Sequence, residues 1–170
     1  MPKNEELICI SANGKRIVFD PINSHAAFHF NDTPKLRMLT KELLEGTDLV
    51  GKLIAKDVDM GRIIGTSNVV DTDKSDDIVY ALRKNREEQG YVPFTKSKSP
   101  KLSSLISVYL IKKETINYEL LSVWVGSYKS PPFPQMENFT DESIPYWSNH
   151  AFAWGSQEII PDNILLECPW

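Results

Sequence analysis

The chain has 170 residues, of which 41% are hydrophobic and 25% charged, with a formal net charge of −4. This composition is typical of an ordinary globular domain and excludes collagen-like, disordered and disulfide-scaffold proteins. No apolar run approaches the ~20 residues of a membrane-spanning helix, and the first residues lack the apolar stretch of a signal peptide. We therefore expect a single domain over residues 1–170, no membrane association, a cytoplasmic location and unpaired Cys9 and Cys168.

The N-terminal part of the sequence predicts a β-hairpin followed by helices. Two short apolar runs, residues 7–10 and 16–19, flank an Asn-Gly turn signal. Residues 22–30 favour a helical turn. A Thr-Pro pair, which is typical of a helix N-terminus, precedes leucines at helical spacing and predicts a helix over residues 34–45, with Gly46 as its C-cap.

The rest of the sequence predicts a mostly antiparallel sheet. Weaker strand signals occur at residues 49–58, 62–70 and 78–82. The strongest ones occur at residues 102–111 and 116–125, whose two faces are both apolar, so we expect central strands. A short aromatic helix is predicted from Ser143 to about Ala153. This order predicts an α+β fold with an acidic C-terminal extension, residues 130–170, packing on the sheet. The core residues expected in the central strands are Ile106, Val108, Leu110, Leu120 and Trp124.

A basic segment lies between residues 83 and 101. Its cations alternate with hydroxyl residues and with the rings of Tyr91 and Phe94. Guanidinium groups bind phosphate oxygens bidentately, hydroxyls donate to them and rings stack on unpaired bases, so this mixture suits RNA. An ordinary polar loop is the alternative. The residues predicted to bind the substrate are Arg83, Arg86, Thr95 and Lys96.

Two histidines, His25 and His29, are four residues apart and share one face of the predicted helical turn. This spacing can place two imidazoles on one metal, with Asp32 or His150 as a third ligand. However, Ala26 stands where a metalloprotease helix has its glutamate. The sequence also has no phosphate-binding glycine loop, nucleophile elbow or Cys-x-x-Cys motif. We predict no metal site and no other cofactor.

Three motifs resemble a family of uncharacterised bacterial proteins. They are Ser75–Arg86 (SDDIVYALRKNR), Phe94–Pro100 (FTKSKSP) and Tyr118–Gly126 (YELLSVWVG). Members also tend to have a proline-rich stretch, a Glu-Ser pair, an aromatic pair and a His-Ala dipeptide. Here these are Pro131–Pro134, Glu142-Ser143, Tyr146-Trp147 and His150-Ala151. The resemblance covers roughly residues 75–155 and implies no particular activity.

The order of elements also resembles the metal-independent ribonuclease group that includes barnase, EndoU, the colicin ribonucleases and RelE-type toxins. The shared features are a helix bearing histidine, a basic segment and a terminal antiparallel hairpin. The resemblance implies an endoribonuclease in which the RNA supplies its 2′-hydroxyl and the protein supplies a general base, a general acid and cations. The catalytic residues implied here are His25, His29 and Ser104.

Two other functions are consistent with the sequence. The chain is alternatively a non-catalytic interaction domain, in which the Pro-Pro-Phe-Pro stretch of residues 131–134 and the aromatic helix bind a protein partner or complete the core. It is alternatively a metal-dependent hydrolase with His25 and His29 as ligands. Convergence of a histidine of this pair with the cations of residues 83–98 in one cleft would favour the ribonuclease. The sequence leaves the oligomeric state open.

Overall fold

The computed structural model describes residues 4–127 and 130–170, and it divides the chain into two compact units. The first unit comprises the described residues up to Gly65 and from Ser103 to Ser127. The second comprises Thr66–Leu102 and the residues from Ser130 onward. The fold is α+β, as predicted. Within the described ranges, no helix is both long and apolar enough to span a membrane.

The elements are short and alternate irregularly between strand and helix. The strands are β1 (Glu6–Ile10), β2 (Arg16–Phe19), β3 (Leu53–Asp59), β4 (Gly65–Ser67), β5 (Val69–Asp71), β6 (Ile78–Arg83), β7 (Tyr91–Thr95), β8 (Lys101–Ser103), β9 (Leu105–Lys112), β10 (Asn117–Val125), β11 (His150–Ala153) and β12 (Ile159–Leu165). The helices are α1 (His25–Asp32), α2 (Lys35–Glu45) and α3 (Ser143–Trp147), with one turn of 3-10 helix at Glu87–Gln89.

The first unit contains a five-stranded sheet in the order β1-β2-β10-β9-β3. The predicted hairpin is present as β1 and β2, and the two strongest strand signals form β10 and β9, which are interior strands as predicted. The β2–β10 pair is parallel and the other pairs are antiparallel. The pairing of β10 with β9 is interrupted by a bulge between Leu120 and Ser122. A bulge of this kind changes the direction in which the following side chains point.

The core of the first unit lies between this sheet and the two long helices. Helix α1 contributes Ala26, Ala27 and Phe30, which are buried together with apolar side chains of β9 and β10. Four of the five predicted core residues are fully buried: Ile106, Val108, Leu110 and Leu120. Trp124 is only partly buried, and its indole N–H donates to the Ser127 carbonyl at 3.2 Å. The predicted sheet therefore supplies most of this core.

The ends of the two helices differ in part from the prediction. Helix α1 begins after Ser24, whose Oγ accepts the Ala27 backbone N–H at 3.0 Å. Thr33, expected as the N-cap of α2, instead closes α1 through a hydrogen bond from its N–H to the His29 carbonyl at 2.8 Å. Gly46 ends α2, but with φ −92° it does not take the left-handed conformation of a typical glycine C-cap.

The second unit contains a five-stranded sheet in the order β12-β6-β7-β11-β5, and β4 pairs with β8 in a two-stranded sheet. The β7–β11 pair is parallel. The predicted C-terminal helix is wrong in its second half, because α3 ends at Trp147 and His150–Ala153 forms β11. The backbone of β11 pairs with β5 on one side and with β7 on the other, and this pairing outweighs the local helical spacing.

Aromatic side chains form the core of the second unit. Phe133 of the proline-rich stretch and Trp147 of α3 are both buried, with ring centroids 4.5 Å apart. Phe152 of β11 lies 5.6 Å from Phe94 of β7 between ring centroids. Residues 130–170 thus contribute two strands to the sheet, and their aromatic side chains complete its core.

Candidate functional site

The first candidate site is an exposed turn of α1 that carries both predicted histidines. Because Ser24 caps the helix, His25 is its first residue and His29 follows one turn later. The two imidazole centroids are 4.4 Å apart, and their planes are inclined at 62°. His25 is exposed, His29 is half-buried, and the exposed ring of Phe28 stacks beside His25 at 6.2 Å. The helix therefore brings two proton-transfer groups into contact at the protein surface.

A serine of the sheet anchors this pair. His25 Nδ1 lies 2.9 Å from the Oγ of Ser122, which is only 8% exposed and lies in β10 just after the bulge. A hydroxyl both donates and accepts hydrogen bonds, so Ser122 can hold the His25 ring whether Nδ1 is protonated or bare. The sequence analysis did not single out Ser122. Its signal is a lone hydroxyl residue inside the apolar run of residues 120–125.

Ser104, the predicted catalytic hydroxyl, contacts the turn that follows β3. Its carbonyl accepts the Met60 N–H at 2.9 Å. Its hydroxyl interacts with Asp59, and the pKa of that carboxyl is lowered first by the Gly61 backbone N–H and then by the Ser104 hydroxyl. The hydroxyl that lies 2.9 Å from His25 Nδ1 is that of Ser122. Ser104 instead stabilises the turn after β3 through its contacts with Met60 and Asp59.

The second candidate site is the side chain of Arg83 at the end of β6. Arg83 is 8% exposed, and its guanidinium lies over the rings of Phe133 and Phe152, at 5.4 Å and 4.9 Å from their centroids. Nη2 donates to Gln89 Oε1, and Nη1 lies 3.4 Å from Gln157 Oε1. Burial and, to a smaller extent, the nearby charge of Arg86 lower the pKa of Arg83 to about 10.

The other three predicted substrate-binding residues have different environments. Arg86 is half-buried and precedes the 3-10 turn. Thr95 is fully buried, and its Oγ1 accepts the Ser97 backbone N–H at 3.1 Å. Lys96 is exposed, and its Nζ lies 4.6 Å from the centroid of the Trp154 ring. Of these three residues, Lys96 alone has an exposed side chain.

Several lysines of the basic segment form ion pairs with acidic residues, which reduces the positive charge of this surface. The pairs are Lys84 with Glu158 at 3.7 Å, Lys98 with Asp76 at 3.2 Å and Lys101 with Asp71 at 3.6 Å. A charge that is already neutralised attracts phosphate weakly. These three lysines are therefore weaker candidates for phosphate contacts than the sequence pattern indicated.

The predicted site residues are divided between the two units. His25, His29 and Ser104 belong to the first unit, whereas Arg83, Arg86, Thr95 and Lys96 belong to the second. In the first unit the structure brings His25 and His29 together, and in the second it brings Arg86 close enough to affect the titration of Arg83.

The metal alternative requires a third ligand beside the two histidines of α1. Among the residues with described positions, no group of three or more His, Cys, Asp or Glu side chains is arranged to hold a metal ion. His150, one proposed third ligand, lies with Nε2 3.0 Å from Asp71 Oδ1 and with Nδ1 2.8 Å from the Tyr146 carbonyl. This geometry does not favour a metal-dependent hydrolase, and we do not propose one.

Comparisons of the chain with protein-family models, with curated proteins and with solved structures found no match. The resemblances to the bacterial family and to the ribonuclease group therefore remain predictions.

Proposed function

We propose that the chain is a metal-independent endoribonuclease whose proton-transfer centre is the His25–His29 pair. The observation that carries this proposal is the contact between two imidazoles on an exposed helical turn, one of them anchored to the buried hydroxyl of Ser122. Imidazole is the side chain best suited to accept and donate protons near neutral pH. Two such groups in contact can act on the two ends of one reaction.

The proposed reaction is an attack of the RNA on itself. One neutral imidazole accepts the proton of a 2′-hydroxyl, and the O2′–P bond forms at the adjacent phosphorus. The P–O5′ bond breaks, and the second, protonated imidazole donates its proton to the leaving 5′-oxygen. The products are a 2′,3′-cyclic phosphate and a 5′-hydroxyl, so atoms and charges balance without a metal or a water molecule.

Ser122 acts as a positioning residue in this proposal. It holds the ring of His25 through the hydrogen bond at Nδ1. A hydroxyl partner suits a histidine that changes protonation state during the reaction, because the hydrogen bond persists in both states. An ordinary hydrogen bond contributes about 0.5–1.5 kcal/mol, so Ser122→Ala should lower the cleavage rate by about 2–12-fold.

The non-catalytic alternative relied on the proline-rich stretch and on the aromatic helix as a docking surface for a protein partner. Phe133 of the first segment and Trp147 of the second are buried in the core of the second unit. They support folding of this unit, and no exposed arrangement of these rings favours the docking of a partner.

The test is cleavage of a single-stranded RNA in the presence of a chelator. Proton transfer contributes about 10²–10⁴ in rate, so His25→Ala and His29→Ala should each lose activity by that order. The chain has three histidines. His150→Gln is therefore the matched control, and it should keep the parental rate at a temperature where it is folded.

Three results would contradict the proposal. One is the absence of RNA cleavage by the purified parent protein. Another is full activity of both α1 variants, because a contaminating ribonuclease would then be responsible. The third is loss of parental activity on chelation, which would point to a metal-dependent reaction.

A further inference from the structure

The guanidinium of Arg83 is a buried positive charge that has no anionic partner among the described residues 4–127 and 130–170. Among the described side chains, the ion pairs involve other residues, and no carboxylate lies within ion-pair distance of this group. Its neighbours are two rings and two neutral amide oxygens. Burying a charge is costly unless an opposite charge compensates it, so such a group is retained most readily when a ligand supplies that charge.

One edge of this guanidinium also lacks a hydrogen-bond acceptor for one of its two nitrogens within the described residues. Within the described part of the chain, Arg83 Nε is buried and has no hydrogen-bond partner. Nε and Nη2 lie on the same edge of the guanidinium group, and Nη2 donates to Gln89 Oε1. The edge that binds oxyanions side-on therefore holds one amide oxygen where two anionic oxygens would fit.

The amide on this edge belongs to a short segment. Gln89 is the last residue of the one-turn 3-10 helix Glu87–Gln89, and its side chain is only half-buried. Gly90 follows with φ 74° and ψ −165°, a conformation that is essentially restricted to glycine. Rotation of the Gln89 side chain toward solvent would free Nη2 without moving a strand, while Gln157 stays at Nη1.

The charges around Arg83 favour an anion. Arg86 is close enough to lower the pKa of Arg83, as expected for a second cation beside it, whereas the more weakly acting Glu88 opposes this effect. Phosphate, like a carboxylate, fits the side-on fork of Arg83, and it occurs in every nucleotide of RNA.

We propose that Arg83 anchors a binding site for one phosphate group of an RNA strand, in which two phosphate oxygens accept from Nε and Nη2 in place of Gln89 Oε1. This inference deepens the proposed ribonuclease function and rests on it for the identity of the strand. In this proposal the Gln89 side chain competes with the phosphate for Nη2. If Arg83 had only a structural role, removal of the Gln89 amide would not strengthen phosphate binding.

The test measures binding separately from cleavage. The full chain is titrated with inorganic phosphate and, in a second series, with a single-stranded 2′-O-methyl oligoribonucleotide that self-attack cannot cleave. Both should bind. Gln89→Ala removes the competing amide and should tighten phosphate binding by about 2–12-fold, the equivalent of one ordinary hydrogen bond. Arg83→Lys keeps the charge but not the fork, and it should lose most of the affinity.

The control is Lys84→Ala, which removes one positive charge next to Arg83 in sequence, from a side chain that is paired with Glu158 at the surface. Its phosphate affinity should change by less than about 2-fold, because exposed pairs contribute little. If Arg83→Lys does not fold, Gln89→Ala decides alone. No phosphate binding by the parent and by Gln89→Ala, or equal binding by the two, overturns the site.

The two ligands separate the phosphate site from the RNA proposal. Binding of phosphate without binding of the oligonucleotide overturns RNA as the source of the phosphate while leaving the anion site. Binding of both ligands without cleavage of ordinary RNA supports the inference and rejects the proposed catalytic function.

Discussion

Replacement of Leu110 by alanine should destabilise the first unit by about 3–5 kcal/mol. Leu110 is 0% exposed in β9, between Leu120 of β10 and Ile54 of β3, its partners across the two strand pairs. Leu→Ala changes in cores cost about 2–5 kcal/mol, and the higher values occur where the surrounding walls cannot collapse into the cavity. Strands are hydrogen-bonded to β9 on both sides, so collapse is restricted and we expect the upper part of this range.

Urea unfolding, followed by tryptophan fluorescence and far-UV circular dichroism, measures this loss. Leu102→Ala is the matched control, because Leu102 is 66% exposed and the same change there should stay within about 0.5 kcal/mol. If the two units unfold in separate transitions, the loss should appear in the transition of the first unit. A loss below about 1 kcal/mol for Leu110→Ala would refute the assignment of β9 as a closely packed interior strand.

Three further predictions concern single contacts. Ser104→Ala should raise the pKa of Asp59 toward its usual range in a carboxyl NMR titration. Because the pKa of Asp59 is lower in the folded than in the unfolded protein, its carboxylate stabilises the fold above the unfolded-state pKa, and this contribution is lost as the pH falls through the folded-state pKa. If Asp59 titrates identically in Ser104→Ala and in the parent, the hydroxyl contact is excluded. Exposed Cys168 should be alkylated rapidly at pH 8, whereas burial raises the pKa of Cys9 to about 11 and should protect it until the protein unfolds; two fast modifications would contradict this. Gly90→Ala should cost about 1–3 kcal/mol in urea unfolding, because of its positive φ and because the added Cβ would collide with a glutamine side chain; an unchanged midpoint would contradict the turn geometry.

Local patterns were sufficient to predict the first unit in outline. Alternation and a turn signal predicted the β1–β2 hairpin, and helical spacing of leucines predicted α2. These elements depend on neighbours in sequence. The shift of the helix cap from Thr33 to the end of α1 was not predictable in the same way, because two helices compete for one residue.

The second unit was predicted less well because its pairing is long-range. The β7–β11 ladder joins Phe94 to Phe152 and Thr95 to Ala153, and neither strand has a distinctive pattern of its own. The His150–Ala153 segment follows directly after a helix and was therefore predicted as its continuation. A parallel ladder between such distant segments cannot be inferred from either segment alone.

The candidate sites show the same division. The i, i+4 spacing of His25 and His29 predicted that both would lie on one helix face, and the structure brings their rings into contact. The partner of His25 is 97 residues away in sequence, so the role of Ser122 depends on the fold. Charge pattern alone predicted Arg83 as a substrate-binding cation, and its burial against aromatic rings was not predictable from that pattern.

The most direct test of the proposed activity is the chemistry of the RNA ends after cleavage in the presence of a chelator. Attack by the 2′-hydroxyl must leave a 2′,3′-cyclic phosphate on one fragment and a 5′-hydroxyl on the other, which mass spectrometry distinguishes. We expect these ends from the parent protein, their loss with His25→Ala and His29→Ala, and no cleavage of a fully 2′-O-methylated strand. Fragments with 3′-hydroxyl and 5′-phosphate ends, or cleavage of the methylated strand, would contradict the central claim that two histidines of α1 cleave RNA through its own 2′-hydroxyl.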